Sequence, residues 1–144
     1  MSYTTQMDAA RKGILTKEMK AVAEKENFDP QELMRLVVEG KVAIPANKRH
    51  TCLEPNGIGS MLKTKINVNL GTSRDCSDLD MELKKVNDAV AMGAESIMDL
   101  SSFGDTGKFR RKLTSECPAI IGTVPIYDAV VYYHKPLKEI TSRE

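Results

Sequence analysis

The hydrophobic pattern changes period partway along the chain, with helical spacing ahead of Gly40 and strict alternation once Lys63 is passed. Thr16 precedes Lys17-Glu18-Met19-Lys20-Ala21-Val22-Ala23-Glu24, where its hydroxyl can accept from free amide groups and Glu18 meets the positive helix end. Asp29-Pro30-Gln31-Glu32 predicts a second helix start, with an acceptor at the cap, proline at the first helical position and a glutamate to complete the pair. Leu33, Leu36 and Val37 share one face of that helix, Gly40 stops it, and Lys41-Val42-Ala43-Ile44-Pro45 is a short extended run. The turn formers Pro55, Asn56, Gly57 and Gly59 make 46–60 a loop and a boundary. The expected organisation is a helical region with its linker over 1–60 and a second region over 61–144.

In the second region Ile66, Val68 and Leu70 fall on one side of a strand and Lys65, Asn67 and Asn69 on the other, and Gly71 turns the chain out. Ser77 or Asp78 can cap the next helix, where Leu79, Leu83, Val86 and Val90 recur at helical spacing before Gly93. Glu95–Leu100 is a second strand, Thr106–Ser115 a helix with Phe109 and Leu113 on one face, and Ala119–Val124 a third strand. Strands alternating with helices predict right-handed parallel crossovers. Gly71-Thr72-Ser73-Arg74-Asp75 lacks the glycine fingerprint of a dinucleotide-binding sheet, so a β/α barrel fits better. Three strands cannot close a barrel that takes eight strands and roughly 250 residues. The fold class expected is therefore α/β: a short helical N-terminal region followed by the first three β/α units of an incomplete (β/α)8, TIM-type barrel. Ile140-Thr141-Ser142-Arg143-Glu144 also has the cap signature of a helix about to begin.

Charge narrows the partners. The 21 Lys and Arg against 20 Asp and Glu leave a net charge of +1, which makes no electrostatic case for nucleic acid or an anionic membrane. The basic run Asn47-Lys48-Arg49-His50 reads as a solvated loop rather than a phosphate site. No signal peptide or apolar span is visible, and Cys52, Cys76 and Cys117 are odd in number and widely spaced, as expected of thiols in a cytoplasmic protein. Neither these cysteines nor His50 and His134 have the spacing of a complete metal site.

Functional groups of β/α barrels gather at the C-terminal ends of the strands. Asn69, Met98 and Tyr127 occupy such positions and are each 29 residues apart, about one strand-helix repeat, which predicts three side chains at similar height on neighbouring strands. Taken alone, Asn69 reads better as a strand-end backbone partner, Met98 as core and Tyr127 as a half-buried aromatic.

Several motifs then carry a family resemblance: Gln6–Gly13, Val42–Asn47, Gly57-Ile58-Gly59, Lys65–Ser73, Ile97-Met98-Asp99-Leu100-Ser101 and Gly122-Thr123-Val124-Pro125-Ile126-Tyr127. Together, and in this order, they resemble the phosphomethylpyrimidine synthase (ThiC) family over nearly the whole chain. The resemblance implies a radical enzyme, a carbon–carbon lyase, that uses S-adenosylmethionine and a 4Fe–4S cluster to rearrange 5-aminoimidazole ribotide into hydroxymethylpyrimidine phosphate, the thiamine precursor. A paralogous branch makes 5-hydroxybenzimidazole for the cobalamin lower ligand from the same ribotide. It also implies that Asn69, Met98 and Tyr127 contact the substrate, and that the full-length enzyme holds a divalent metal such as zinc.

Two departures qualify the match. The family's C-x2-C-x4-C cluster motif and later-strand metal histidines have no counterpart here, so the chain alone is expected to hold no cofactor and to be inactive. Leu100-Ser101-Ser102-Phe103-Gly104-Asp105 replaces the usual D-L-S-T-G-G-D run and tilts the resemblance toward the benzimidazole branch. The expected partners are the ribotide and either the remaining part of the barrel or a homodimer mate, with no nucleic acid and no membrane. A non-catalytic assembly module of a split enzyme and a ribotide-phosphate-binding fragment are the competing readings.

Overall fold

The computed structural model describes residues 2–143. The chain divides into two compact units, one ending at Lys65 and one beginning at Ile66.

The first unit contains α1 (Gln6–Arg11), α2 (Lys17–Glu26) and α3 (Pro30–Val38). Each starts where a side-chain oxygen relieves an unpaired amide: Thr5 accepts from Asp8 N at 3.0 Å, Thr16 from Met19 N at 3.1 Å and Asp29 from Glu32 N at 2.8 Å. The caps expected at Thr16 and Asp29 are both present, whereas α1 was not visible in the hydrophobic spacing. Met19 and Val22 of α2 pack with Leu33 and Val37 of α3 around Ala9 of α1. The segment read as a plain loop holds a short strand: β1 (Val42–Ala43) pairs antiparallel with β2 (Ile58–Gly59).

Near the end of this unit, Glu26 accepts from the backbone N–H of Lys63 at 2.9 Å and from the Lys65 ammonium. Both side chains of the Glu26–Lys65 pair are 7% exposed. Burial works to raise the Glu26 pKa, but Lys65 and the Lys63 N–H outweigh it and the carboxyl titrates below the usual 4.5. A depressed folded-state value means a stabilising contribution that is complete above the ordinary glutamate range and is lost as acid takes the pH down through the depressed value. Glu26→Gln should therefore lower stability at neutral pH and flatten this acid limb, read from urea unfolding between about pH 3 and pH 7.

The second unit runs β3 (Asn67–Leu70), α4 (Leu79–Ala91), β4 (Ser96–Asp99), α5 (Thr106–Glu116), β5 (Ile120–Thr123), α6 (Pro125–Tyr133) and a 3-10 turn at Leu137–Glu139. The three strands form one parallel sheet in the order β3-β4-β5, so the expected β-α-β-α-β succession is present and its spatial order follows the sequence. Asp78 caps α4 by accepting from Asp80 N and Met81 N at 3.0 Å, and Asp105 caps α5 by accepting from Lys108 N at 2.8 Å. Ile97, Phe109 and Leu113 are at most 2% exposed and anchor the core between sheet and helices. Burying each such side chain contributes about 1.5–3 kcal/mol.

Two boundaries differ from the sequence reading. The first strand covers only Asn67–Leu70, because Lys63 and Lys65 are drawn to Glu26. The third strand ends at Thr123, one residue short of the expected Val124, and Pro125 then opens a helix, so Tyr127, expected at the end of the strand, stands on that helix. Proline suits the first helical position, where no amide donor is needed.

Candidate functional site

Alternation sends the side chains of the sheet to two faces. Val68, Leu70, Ile97 and Ile121 pack with α4 and α5. The face turned away from those helices carries two rows of register partners, Asn67–Ser96–Ile120 and, one step nearer the C-terminal ends, Asn69–Met98–Gly122.

This second face is unusually polar for a parallel sheet, which is ordinarily covered on both sides. Asn67 and Asn69 are exposed and Ser96 and Met98 half-buried. The Ser96 hydroxyl donates to Asn67 Oδ1 at 3.0 Å, and Asn67 Nδ2 donates to Asn69 Oδ1 at 2.8 Å. This relay holds the Asn69 amide with its oxygen toward Asn67. Met98 lies across Gly122: a Cβ built on Gly122 would stand 2.8 Å from Met98 Cε and 2.9 Å from Sδ. The thioether thus occupies space that only a glycine leaves open. Gly122→Ala is expected to cost about 1 kcal/mol, since the obstructing atoms end a flexible side chain, and to move the Met98 methyl resonance. Methionine-methyl NMR with urea unfolding checks both.

Beyond the strand ends the backbone is fixed by buried polar groups. Gly71 has φ +143°, and its N–H donates to Glu82 Oε2 at 2.9 Å. Glu82 is 1% exposed and also accepts from Lys85 Nζ at 2.6 Å. Thr72 N donates to Ser101 Oγ at 3.0 Å, and the Thr72 hydroxyl donates to Phe103 O at 2.6 Å. Asp99 is fully buried and accepts from Ser101 N at 2.9 Å and from Arg110 Nε at 2.7 Å. The other side of the Arg110 fork donates to Asp128 of α6, which also accepts from the Thr106 hydroxyl at 2.9 Å. Burial by itself would lower the Arg110 pKa, but Asp128 and Asp99 more than compensate and hold it above the ordinary arginine value.

The structure brings together two of the residues singled out in the sequence. Asn69 and Met98 are direct register partners with side chains on the same face. Tyr127 is not the third member of that row, because Gly122 holds the position opposite Met98 and Tyr127 stands in the first turn of α6. Equal spacing in sequence assumed three identical repeats, and the early end of β5 breaks the third. Asn67 and Ser96 were missed, although each lies two residues before a chosen position and alternation puts it on the same face. Glu82 was also legible in principle as a carboxylate on the apolar stripe of Leu79, Leu83 and Val86.

Among the described residues the three cysteines join no cluster of metal-ligand side chains. Cys52 belongs to the first unit, Cys76 is exposed, and Cys117 is buried in the core beside Leu113. Among the described residues no three His, Cys, Asp or Glu side chains converge as metal ligands. A cavity of about 880 Å³ lies in the first unit, lined by Gln6, Lys17, Glu18, Asn47 and His50 among others; Asn69, Met98 and Tyr127 take no part in it. Among the described residues no helix is long and apolar enough to cross a membrane.

Comparison with known proteins agrees with the motif pattern. The sequence profile of the radical SAM ThiC family matches residues 5–144. The phosphomethylpyrimidine synthase of Clostridium botulinum strain 657 is 65% identical over all 144 residues, which make up 33% of its own length. The same protein from the Okra strain is 65% identical and that of Alkaliphilus oremlandii 62% identical, again over the whole of this chain and 33% of theirs. The chain thus spans about a third of the length of the curated relatives it matches.

Proposed function

We propose, from the premise that this chain belongs to the radical SAM ThiC family, that it forms one wall of the ribotide pocket of a phosphomethylpyrimidine synthase-type enzyme. In this reading β3, β4 and β5 are the first three β/α units of a (β/α)8 barrel. The sequential parallel order and the polar second face support it, since barrel strands follow one another and turn one face inward.

The observation that carries the proposal is the register pair Asn69–Met98, with Met98 lying over Gly122. Asn67 holds the Asn69 oxygen, so the Asn69 amide presents its N–H donors to a ribose or phosphate oxygen. The flat, polarisable contact offered by the Met98 thioether suits an imidazole ring. Tyr127 donates its phenol toward the phosphate from α6. 5-Aminoimidazole ribotide is the substrate class that this wall serves. The product is hydroxymethylpyrimidine phosphate or, if the chain belongs to the paralogous branch, 5-hydroxybenzimidazole, and the Leu100–Asp105 run is what favours the branch.

S-adenosylmethionine, the cluster and a divalent metal belong in this reading to the part of the enzyme outside this chain. Among the described residues β3 and β5 each keep one edge without a strand partner, which favours completion by further strands, from the same polypeptide or from a separate chain of a split enzyme. Calorimetric titration with 5-aminoimidazole ribotide tests the pocket. Saturable binding that Asn69→Ala weakens roughly tenfold is expected. Absence of binding at millimolar ribotide, with the chain folded, removes the proposal.

A further inference from the structure

We infer that Arg110 is a positioning residue for Tyr127: its guanidinium ties the end of β4 to α6 and so sets where the tyrosine stands relative to the strand that carries Met98. The inference rests on the reading of Tyr127 as a ribotide contact, and it begins from how weakly α6 is otherwise held. No α6 residue is fully buried, Asp128, Ala129, Val130 and Val131 being half-buried, and its N-cap Val124 makes no side-chain hydrogen bond, so packing and capping hold the helix only in part. Asp128, next to Tyr127 in sequence, takes the side-chain hydrogen bonds from Arg110 and Thr106. At the other end Arg110 Nε donates to Asp99, which is fully buried, adjacent to Met98 in sequence and itself part of the strand. A planar fork engaging one carboxylate on each side fixes an angle as well as a distance.

Two further features separate this strut from other roles for an arginine. One guanidinium between two carboxylates leaves the cluster with net negative charge, so it does not attract a phosphate and is not itself an anion clamp. Arg110 Nη2 is also buried without a hydrogen-bond partner. A buried unsatisfied donor works against stability, which a purely stabilising contact does not explain.

The test uses Asp128→Ala and Arg110→Lys in this chain, with 3-fluorotyrosine at position 127 as a local reporter and 5-aminoimidazole ribotide as the ligand. Asp128→Ala removes only the α6 end of the strut, leaves Arg110 paired with Asp99, and carries the test if Arg110→Lys does not fold. The expected result is a shifted or broadened fluorine signal and roughly tenfold weaker ribotide binding, with β3 and β4 amide resonances unchanged. In a Tyr127→Ala background the same substitution should change affinity by less than about twofold, because its effect passes through the tyrosine. Equal losses in both backgrounds, or an unmoved fluorine signal, overturn the inference. If the parent chain binds no ribotide, the pocket proposal falls while the fluorine signal still decides the strut.

Discussion

Asp99→Ala is expected to lower the unfolding free energy by about 3–5 kcal/mol, a large share of what a domain of this size has. Asp99 is fully buried and satisfies two donors, Ser101 N–H and Arg110 Nε, from two different elements. Alanine strands both at once and leaves Arg110, whose side chain is 19% exposed, paired with Asp128. The loss comes from the uncompensated charge and the orphaned amide, not from missing volume, so Asp99→Asn, which keeps an acceptor for Ser101, should be milder. Urea unfolding of the two variants beside the parent checks the order. Equal stability for all three would mean that the Asp99 carboxylate does not hold the end of β4.

Gly71→Ala should destabilise the second unit by about 3 kcal/mol or more. The φ of +143° is a backbone conformation that side chains rarely adopt. A Cβ there would also stand 2.5 Å from Ser101 N and 2.7 Å from Leu100 C, both backbone atoms of the neighbouring strand end. Unlike the Met98 thioether over Gly122, backbone cannot swing aside, so the ends of β3 and β4 must part. With them would go the bonds from Leu100 N to Leu70 O at 2.7 Å and from Ser102 N to Thr72 O at 2.9 Å. Amide exchange at Leu100 and Ser102 should quicken in this variant, and a melt within about 0.5 kcal/mol of the parent would contradict the close approach described.

Much of this fold was readable because local chemistry and tertiary packing agree. Thr16, Asp29 and Asp78 are caps whose side chains find the amides that the sequence says they should. Val86, Phe109 and Leu113 sit on stripes that reach the core. The misses share a cause, which is competition from contacts distant in sequence. Lys65 alternates perfectly for a strand, yet Glu26, far earlier in the chain, takes its ammonium. Tyr127 follows a β-rich run, yet Pro125 begins a helix that Asp128 secures through Arg110. For the candidate site, the strand-end positions of Asn69 and Met98 were legible, and the structure makes the two register partners. Asn67, Ser96 and Arg110 act through hydrogen bonds to other side chains, and no spacing rule displays those.

The most direct measurement is methyl NMR of the chain with labelled methionine during a ribotide titration, with Met98 assigned through Met98→Leu. The account predicts a saturable shift at the Met98 methyl, at the same ligand concentration that moves the Asn69 side-chain amide. A chain that binds the ribotide while both signals stay still, or one whose response is confined to methionines of the first unit, contradicts it.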